Sequence, residues 1–190
     1  GAVIAWEVER LVSTDPVSGA KIYSSLIPDA AGRNIFVGTG TSSGSRAVPF
    51  THSAMSTASL LGQMKGTVNA ALINYLRGDD TNEDNSDSST STTAIYRGRQ
   101  TRLGDIVNST PVYVKDSVDL LYERLPSGVP GQGAYRSFVA EKKARREGVI
   151  FVGANDGMLH AIRDGTTNSS GEVVNPGGVE VFAYVPHAVL

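Results

Sequence analysis

The side chains best suited to chemistry in this sequence lie in an acidic stretch near its middle. Oxygen-bearing side chains recur there at Asp80, Asn82, Asp84 and Asp87. This spacing is typical of the first half of a calcium-binding loop. The rest of the pattern fails, because Asn85 replaces the turn glycine and Ser91 stands where an EF-hand carries a bidentate glutamate. The sequence therefore predicts no metal site and leaves those four residues as candidate ligands only.

The same stretch has a simpler structural interpretation. Residues 80–93 contain no apolar side chain. Such a segment cannot bury enough surface to offset the entropy lost on ordering. We expect residues 80–93 to form a flexible, acidic, Ser/Thr-rich loop.

An Arg-Gly-Asp tripeptide, Arg77, Gly78 and Asp79, directly precedes the acidic stretch. Some integrin ligands use this tripeptide at an exposed loop tip, so it is a candidate interaction site. The alternative is a helix end in which Gly78 takes the left-handed capping conformation and Asp79 forms a turn. Because a helical pattern ends at this point, the capping interpretation is favoured.

Catalytic chemistry has little support in the sequence. The histidines are His52, His160 and His187, and none has a second histidine or a carboxylate at metal-ligand spacing. His160 falls on a predicted strand, where a packed histidine is the common case. The chain has no cysteine, which excludes thiolate nucleophiles and cysteine-based zinc sites. No cofactor site is evident, and we predict that the chain is not an enzyme.

Composition excludes two further classes of function. There are 17 Lys and Arg against 19 Asp and Glu, a formal net charge of -2, so no basic half marks a nucleic-acid partner. No apolar run approaches the roughly 18 residues of a transmembrane helix. With 21 Gly and 8 Pro but 7% aromatic residues, the chain is predicted to be mainly β and rich in turns.

Apolar spacing predicts the elements of the first half of the chain. A short helix is expected in the first dozen residues, ending by Pro16 because the residue before proline avoids helical geometry. Strands are expected at residues 21–24 and 34–38. Residues 55–76 carry the strongest helical pattern, and Gly62 and Gly66 within it predict a break into shorter helices.

The last third has the clearest β pattern. A helix over residues 134–146 is followed by β-branched runs at residues 149–153, 158–162 and 179–185. Asp156-Gly157 supplies a tight hairpin turn between the first two runs. Three antiparallel strands in succession form a meander, which is the unit of a propeller blade.

Three ordered blocks resemble the C-terminal domain of the PilC/PilY family of type IV pilus biogenesis and tip-adhesin proteins. They are Asn74–Asp79, Leu103–Val114 and Val152–Ala161, and residues 182–186 resemble the segment that follows. The motif residues within them are Gly104, Asp105, Asn108, Pro111, Asn155, Asp156 and Gly157. Quinoprotein-type propellers share the strand-turn-strand pattern, and the block from Gly104 to Val114 separates the two families.

The resemblance implies a fold, a role and a location. The fold would be a partial, modified β-propeller of antiparallel, blade-like meanders with inserted helices. The role would be non-enzymatic pilus assembly and tip adhesion, promoting pilus extension, twitching motility and attachment to host or abiotic surfaces. Minor pilins or tip subunits would be partners. The protein would reach the bacterial cell surface, pilus tip or outer membrane through the periplasm.

Two features limit the resemblance. The family's calcium loop of the Asp-x-Asp-x-Asp-Gly-x-x-Asp type does not occur here, so calcium binding is left to the rest of the family domain. A regular propeller needs 4 to 8 four-stranded blades, more than 190 residues with these elements supply. We therefore expect residues 1–190 to be a segment of a larger propeller domain. The alternative function is a quinoprotein-like, pyrroloquinoline quinone-dependent dehydrogenase or periplasmic scaffold, although Trp6 is the single tryptophan.

Overall fold

The computed structural model describes residues 8–14, 16–17, 21–84, 95–99, 101–115, 120–145, 147–167, 170 and 173–190. The strands are β1 (Glu9–Thr14), β2 (Lys21–Ser25), β3 (Ile35–Gly38), β4 (Ala47–Pro49), β5 (Glu83–Asp84), β6 (Tyr96–Arg97), β7 (Val112–Val114), β8 (Val149–Gly153), β9 (Leu159–Arg163), β10 (Thr166–Thr167), β11 (Val173–Asn175) and β12 (Glu180–Val185). The α-helices are α1 (His52–Thr57), α2 (Ala70–Leu76) and α3 (Tyr135–Arg145). Short 3-10 helices span Leu61–Gln63, Tyr122–Arg124 and His187–Val189.

One six-stranded sheet organises the molecule, in the order β4-β3-β12-β9-β8-β7. Its β8-β9-β12 part is the predicted antiparallel meander, with Val152 opposite His160 and His160 opposite Ala183. Gly157 takes a φ of 82° in the turn between β8 and β9, a conformation that glycine adopts without strain. The meander prediction is confirmed.

The sheet is not wholly antiparallel, which corrects the expectation of purely antiparallel meanders. Strand β3 pairs with β12 in parallel, placing Ile35 beside Ala183 and Val37 beside Val185. This register aligns buried apolar side chains of the two strands on one face. Within the part of the chain that the structure describes, the remaining strands form two-stranded pairs, and no closed propeller is present.

The main apolar core lies between this face of the sheet and the first two helices. Ile35 and Val37 contribute from the sheet, while Met55 of α1 and Ile73 of α2 cover them and are inaccessible to solvent. The helical pattern over residues 55–76 is broken as predicted, into α1, a 3-10 turn and α2.

The opposite face of the sheet retains accessible apolar surface. Phe36, Leu159 and Val112, on three different strands, are 40%, 37% and 57% exposed. Their cross-strand partners, which include Tyr184 and Phe151, lie on the same face. The sheet is therefore apolar on both sides, unlike a sheet that packs on one side and is solvated on the other.

The predicted N-terminal helix is wrong for the residues that can be judged. Residues 9–14 form strand β1, which pairs antiparallel with β2 from Glu9 opposite Ser25 to Thr14 opposite Lys21. The turn after β1 brings the two segments together, so inter-strand hydrogen bonds replace helical ones. Trp6 and the rest of residues 1–7 lie outside the described residues.

The acidic stretch also departs from its expectation at its start. Glu83–Asp84 forms β5 and pairs in parallel with Tyr96–Arg97 of β6. Glu83 is buried, so this part is not the exposed loop that its polarity predicts. Residues 85–94 lie outside the described part of the chain. Among the helices that the structure describes, none has the length and apolar character required to cross a membrane.

Candidate functional site

Two sequence blocks that lie about 50 residues apart meet at one end of the sheet. The backbone N–H of Asn155 donates to the carbonyl of Asp105 at 2.9 Å, and the N–H of Gly104 donates to Oδ2 of Asp156 at 3.3 Å. A Cβ added to Gly104 would lie 2.6 Å from the Asp156 nitrogen. Glycine is thus required here, because the loop approaches the hairpin turn too closely for a side chain.

The other motif residues shape the loop that leads into β7. Asn108 adopts a φ of 59°, a left-handed conformation that asparagine tolerates better than most residues. Pro111 directly precedes β7 and is exposed. Between them, Ser109 accepts a hydrogen bond from the N–H of Gly153 at 3.1 Å. The loop is therefore attached to both the end of β8 and the hairpin turn.

His160 connects this turn to the centre of the sheet. Its side chain has 0% exposure. Nε2 lies 3.0 Å from Oδ2 of Asp156, and Nδ1 lies 2.7 Å from Oε1 of Glu180. Because both ring nitrogens face carboxylate oxygens, both must carry a proton for full hydrogen bonding, and the ring is then a buried cation.

The surroundings of His160 set its protonation. Burial by itself lowers the pKa of His160, but hydrogen bonds and negative charge from Asp156 and Glu180 outweigh it and raise that pKa to about 9. Burial favours a higher pKa for Asp156 and Glu180, yet the His160 contacts hold the pKa of each carboxyl below its usual value. The three groups are thus ionised together at neutral pH.

Arg33 completes the network beneath Glu180. Its Nε and Nη2 donate to the two oxygens of Glu180, both at 2.7 Å, and Nη1 donates to the carbonyl of Arg77 at 2.9 Å. Arg33 and Glu180 are only 3% and 5% exposed. Because the His160 ring is inaccessible to solvent and both of its nitrogens face carboxylates, it is placed to hold structure rather than to exchange protons with a substrate.

Residue spacing in the sequence does not predict this network. Arg33 and Glu180 are 147 residues apart, so spacing alone gives no hint of their contact. One feature of the sequence did indicate a buried ionic contact: Glu180 is a lone carboxylate inside the apolar strand β12. Buried carboxylates almost always need a charged or hydrogen-bonding partner.

The Arg-Gly-Asp tripeptide caps helix α2. Arg77 is buried, and its guanidinium donates to the carbonyls of Phe50, Ala30 and Arg33 at 3.1, 2.6 and 3.1 Å. The N–H of Gly78 donates to the helix carbonyl of Tyr75 at 2.8 Å, as in a helix C-terminal turn. Burial, and to a lesser degree the charge of Arg33, lower the pKa of Arg77. Contact of Arg77 with a partner would require its side chain to leave these carbonyls.

The candidate metal ligands do not converge where they can be judged. The side chains of Asp80 and Asp84 are exposed, and the backbone carbonyl of Asn82 accepts hydrogen bonds from the N–H groups of Ile95 and Tyr96. Asp87 lies outside the described residues. Among the residues that the structure does describe, no group of three acidic or histidine side chains could hold a metal ion.

A surface cleft of about 410 Å³ adjoins the motif residues. Its lining includes Tyr75 and the arginines Arg97, Arg99 and Arg102, together with Gly104, Asp105 and Asp156 of the motif. No sequence motif marked these arginines. They lie on β6 and the following loop, which leads directly into the motif at Gly104.

Comparison with known proteins gives one consistent result. Residues 103–189 match the family model described as the PilY1 beta-propeller domain. A type IV pilus biogenesis factor PilY1 homolog of Xylella fastidiosa is 40% identical over 131 residues, which cover 68% of this chain and 9% of that protein. The type IV pilus biogenesis factor PilY1 of Pseudomonas aeruginosa strain UCBPP-PA14 is 32% identical over 202 residues. The match covers 100% of this chain and 15% of the Pseudomonas protein.

A second Pseudomonas aeruginosa protein of the same name, from strain PAK, is 37% identical over 115 residues, with 60% of this chain and 8% of that protein covered. The chain therefore spans less than a sixth of the length of these relatives. No solved structure matches it.

Proposed function

Because this chain belongs to the PilY1 family, we propose that it is a propeller-forming segment of a type IV pilus biogenesis factor. The observation that carries the proposal is the 32% identity to a PilY1 protein across the whole chain. In this role the full protein promotes pilus assembly and extension without catalysing a reaction. It acts at the pilus tip as an adhesin, supporting twitching motility and attachment to host or abiotic surfaces.

The geometry of the motif residues supports a structural role for this segment. Gly104, Asp105 and Asp156 hold a loop against the hairpin turn, and His160 and Glu180 connect that turn to the sheet core. A rigid framework of this kind suits a protein that presents loops to partners. The alternative of a quinoprotein-like enzyme has no comparable support, since the relatives described above are named as pilus biogenesis factors.

The location and partners follow from the same proposal. The protein would pass through the periplasm and act at the bacterial cell surface, pilus tip or outer membrane. Its contacts there would be minor pilins or tip subunits on one side and a surface on the other. The balanced charge of the chain, -2 at neutral pH, also favours partners other than nucleic acid.

A clean deletion of the gene in its native host tests the role in assembly. Surface pili are sheared off and quantified, and twitching is measured on agar, with complementation by the intact gene as the control. We expect few surface pili and no twitching in the deletion strain. Unchanged piliation would refute the proposal. Co-purification of tagged full-length protein with minor pilins, compared with an untagged strain, tests the partners.

The adhesive role needs a separate measurement, because loss of pili by itself abolishes attachment. Pilus retraction is first disabled in a strain that lacks this protein. Derivatives of that strain that display surface pili are then selected. Attachment of those piliated cells to glass and to epithelial cells is then compared with that of the parent. We expect reduced attachment per pilus, and equal attachment would restrict the function to assembly.

A further inference from the structure

The cleft beside the motif has the features of a preformed binding site. Its volume of about 410 Å³ lies within the range of sites that take small ligands or a few side chains. Its lining divides into an arginine wall, with Tyr75, Arg97, Arg99 and Arg102, and an acidic wall, with Gly104, Asp105 and Asp156 of the family motif. The two walls differ in charge, which defines what the cleft can bind.

The arginine wall is held rigidly by side-chain stacking. The Arg99 guanidinium lies 4.0 Å from the centre of the Tyr75 ring, and Tyr75 stacks on Tyr96 at 4.5 Å. Arg99 also donates through Nε to the buried carboxylate of Glu83 at 2.7 Å. Arg102 is anchored by a hydrogen bond from Nη1 to the carbonyl of Ile27 at 3.3 Å. These side chains are thus ordered before any ligand arrives, which lowers the entropic cost of binding.

Arg97 differs from its neighbours. Its side chain is exposed and lines the cleft, and among the described residues its guanidinium has no hydrogen-bond or ion-pair partner. Its backbone is fixed, since its carbonyl accepts a hydrogen bond from the Tyr75 hydroxyl at 3.2 Å. Arg97 therefore presents a planar, five-donor group, the shape that binds a carboxylate through two parallel hydrogen bonds.

The charge of the cleft limits the anion that it can accept. Arg99 is already paired with Glu83, and Asp156 with His160, so Arg97 and Arg102 remain against Asp105 in the lining, an excess of one positive charge. A phosphate group, which carries nearly two negative charges at neutral pH, would be repelled by the acidic wall. A single carboxylate on Arg97 neutralises the excess.

We propose that this cleft binds an acidic polypeptide segment, with one carboxylate paired to Arg97. Arginine and tyrosine are the residue types enriched at protein interfaces and at their energetic hot spots, which favours a polypeptide over a free organic acid. The proposal does not rest on a role in pilus assembly, because it follows from the charges and contacts of the cleft alone.

Fluorescence anisotropy with two labelled hexapeptides tests this site on the purified protein. One peptide contains two glutamates and a tyrosine, and its partner carries glutamine in place of both glutamates. We expect the acidic peptide to bind at least tenfold more tightly, and its affinity to fall as salt concentration rises. Equal binding of the two peptides would overturn the proposal.

Three variants place the binding at Arg97. Arg97→Gln should weaken binding of the acidic peptide about tenfold, and Arg97→Lys should recover only part of the loss. Arg136→Gln is the matched control, since it removes one positive charge from an exposed arginine of α3 that does not line the cleft. Equal effects of Arg97→Gln and Arg136→Gln would refute a specific site.

Competition separates the alternative ligands. Succinate and inorganic phosphate are each titrated against the bound acidic peptide. The proposal predicts that the unlabelled acidic peptide displaces the probe at far lower concentration than either anion. Displacement by succinate at the same concentration as peptide would make the site one for small organic acids, and stronger displacement by phosphate would make it a phosphate site. Either result overturns the proposal.

Discussion

Arg33 and Arg77 each donate a hydrogen bond to the backbone carbonyl of the other. Nη1 of Arg33 lies 2.9 Å from the Arg77 oxygen, and Nη2 of Arg77 lies 3.1 Å from the Arg33 oxygen. Two like charges are thus buried side by side. Glu180 neutralises the first, and the carbonyls of Phe50 and Ala30 solvate the second. The pair joins the end of helix α2 to the loop before β3.

Replacing the Arg77 guanidinium with a single amino group should weaken the contacts between the end of α2 and the loop before β3. Arg77→Lys keeps the charge but cannot reach three carbonyls at once, so buried acceptors lose their donors. We expect a loss of about 1–3 kcal/mol in the free energy of unfolding, measured by urea denaturation. Arg97→Lys, an exposed change on β6, should cost less than about 0.5 kcal/mol. Equal midpoints for the two variants would contradict the role assigned to Arg77.

Stability should fall as pH rises from neutral to alkaline values. The pKa of His160 is about 9 in the folded protein and about 6.5 in an unfolded chain. The stabilisation from its proton is therefore complete below about pH 6.5 and lost as pH rises through 9. The loss amounts to as much as about 3 kcal/mol. Chemical denaturation at a series of pH values from 6 to 10 measures it.

The variant His160→Gln provides the control for that titration. It removes the titrating group and leaves a side chain that can still donate a hydrogen bond to one carboxylate. We expect a lower overall stability and a flatter profile between pH 6.5 and 9. A profile with the same slope as the unmodified protein would show that another group titrates.

Removing the charge of Glu180 should be among the most damaging single changes in this region. Glu180→Gln leaves Arg33 and protonated His160 buried without their shared carboxylate, and breaking a buried pair in this way costs about 3–5 kcal/mol. The ion pair of Glu147 with Arg163 at 2.8 Å is more exposed. Glu147→Gln should therefore cost less than about 1 kcal/mol. Thermal unfolding followed by circular dichroism compares the two, and similar losses would argue against a buried network.

A methyl group at Gly104 should displace the motif loop. Gly104→Ala places a Cβ 2.6 Å from the Asp156 nitrogen, and relief of such a clash costs about 1–3 kcal/mol. Gly133→Ala is the matched control, because a Cβ at that position meets no atom within 4 Å. Unfolding midpoints and the amide NMR shifts of residues 154–157 report the difference. Identical behaviour of the two variants would show that the loop relaxes freely.

Local pattern predicted the parts of the fold that depend on neighbours in sequence. The β-branched runs and the Asp156-Gly157 turn fully specify the β8-β9 hairpin, because its partners are adjacent in the chain. Residues 9–12 were misjudged because their apolar spacing fits a helix, whereas pairing with β2 decides the outcome. Periodicity describes one segment at a time and contains no information about which strand lies beside it.

For the same reason, the sequence predicted some residues of the candidate site but not the contacts between them. The motif residues Gly104 and Asp156 were identified through the family resemblance, although nothing in the sequence predicted that a backbone N–H of one bonds the side chain of the other. His160 was considered a packed strand residue. Its two carboxylate partners lie 4 and 20 residues away, and only the turn and the crossover to β12 bring them to its two nitrogens.

The position of β12 in the sheet has a consequence for the order of folding. This strand is the last of the six in the chain but lies in the centre of the sheet, between β3 and β9. Until it is available, β4-β3 and β9-β8-β7 are two separate pieces with open edges. Closing a contact between positions as distant as Arg33 and Glu180, 147 residues apart, is entropically slow. During folding the earlier strands therefore remain in two incomplete pieces until β12 pairs with both.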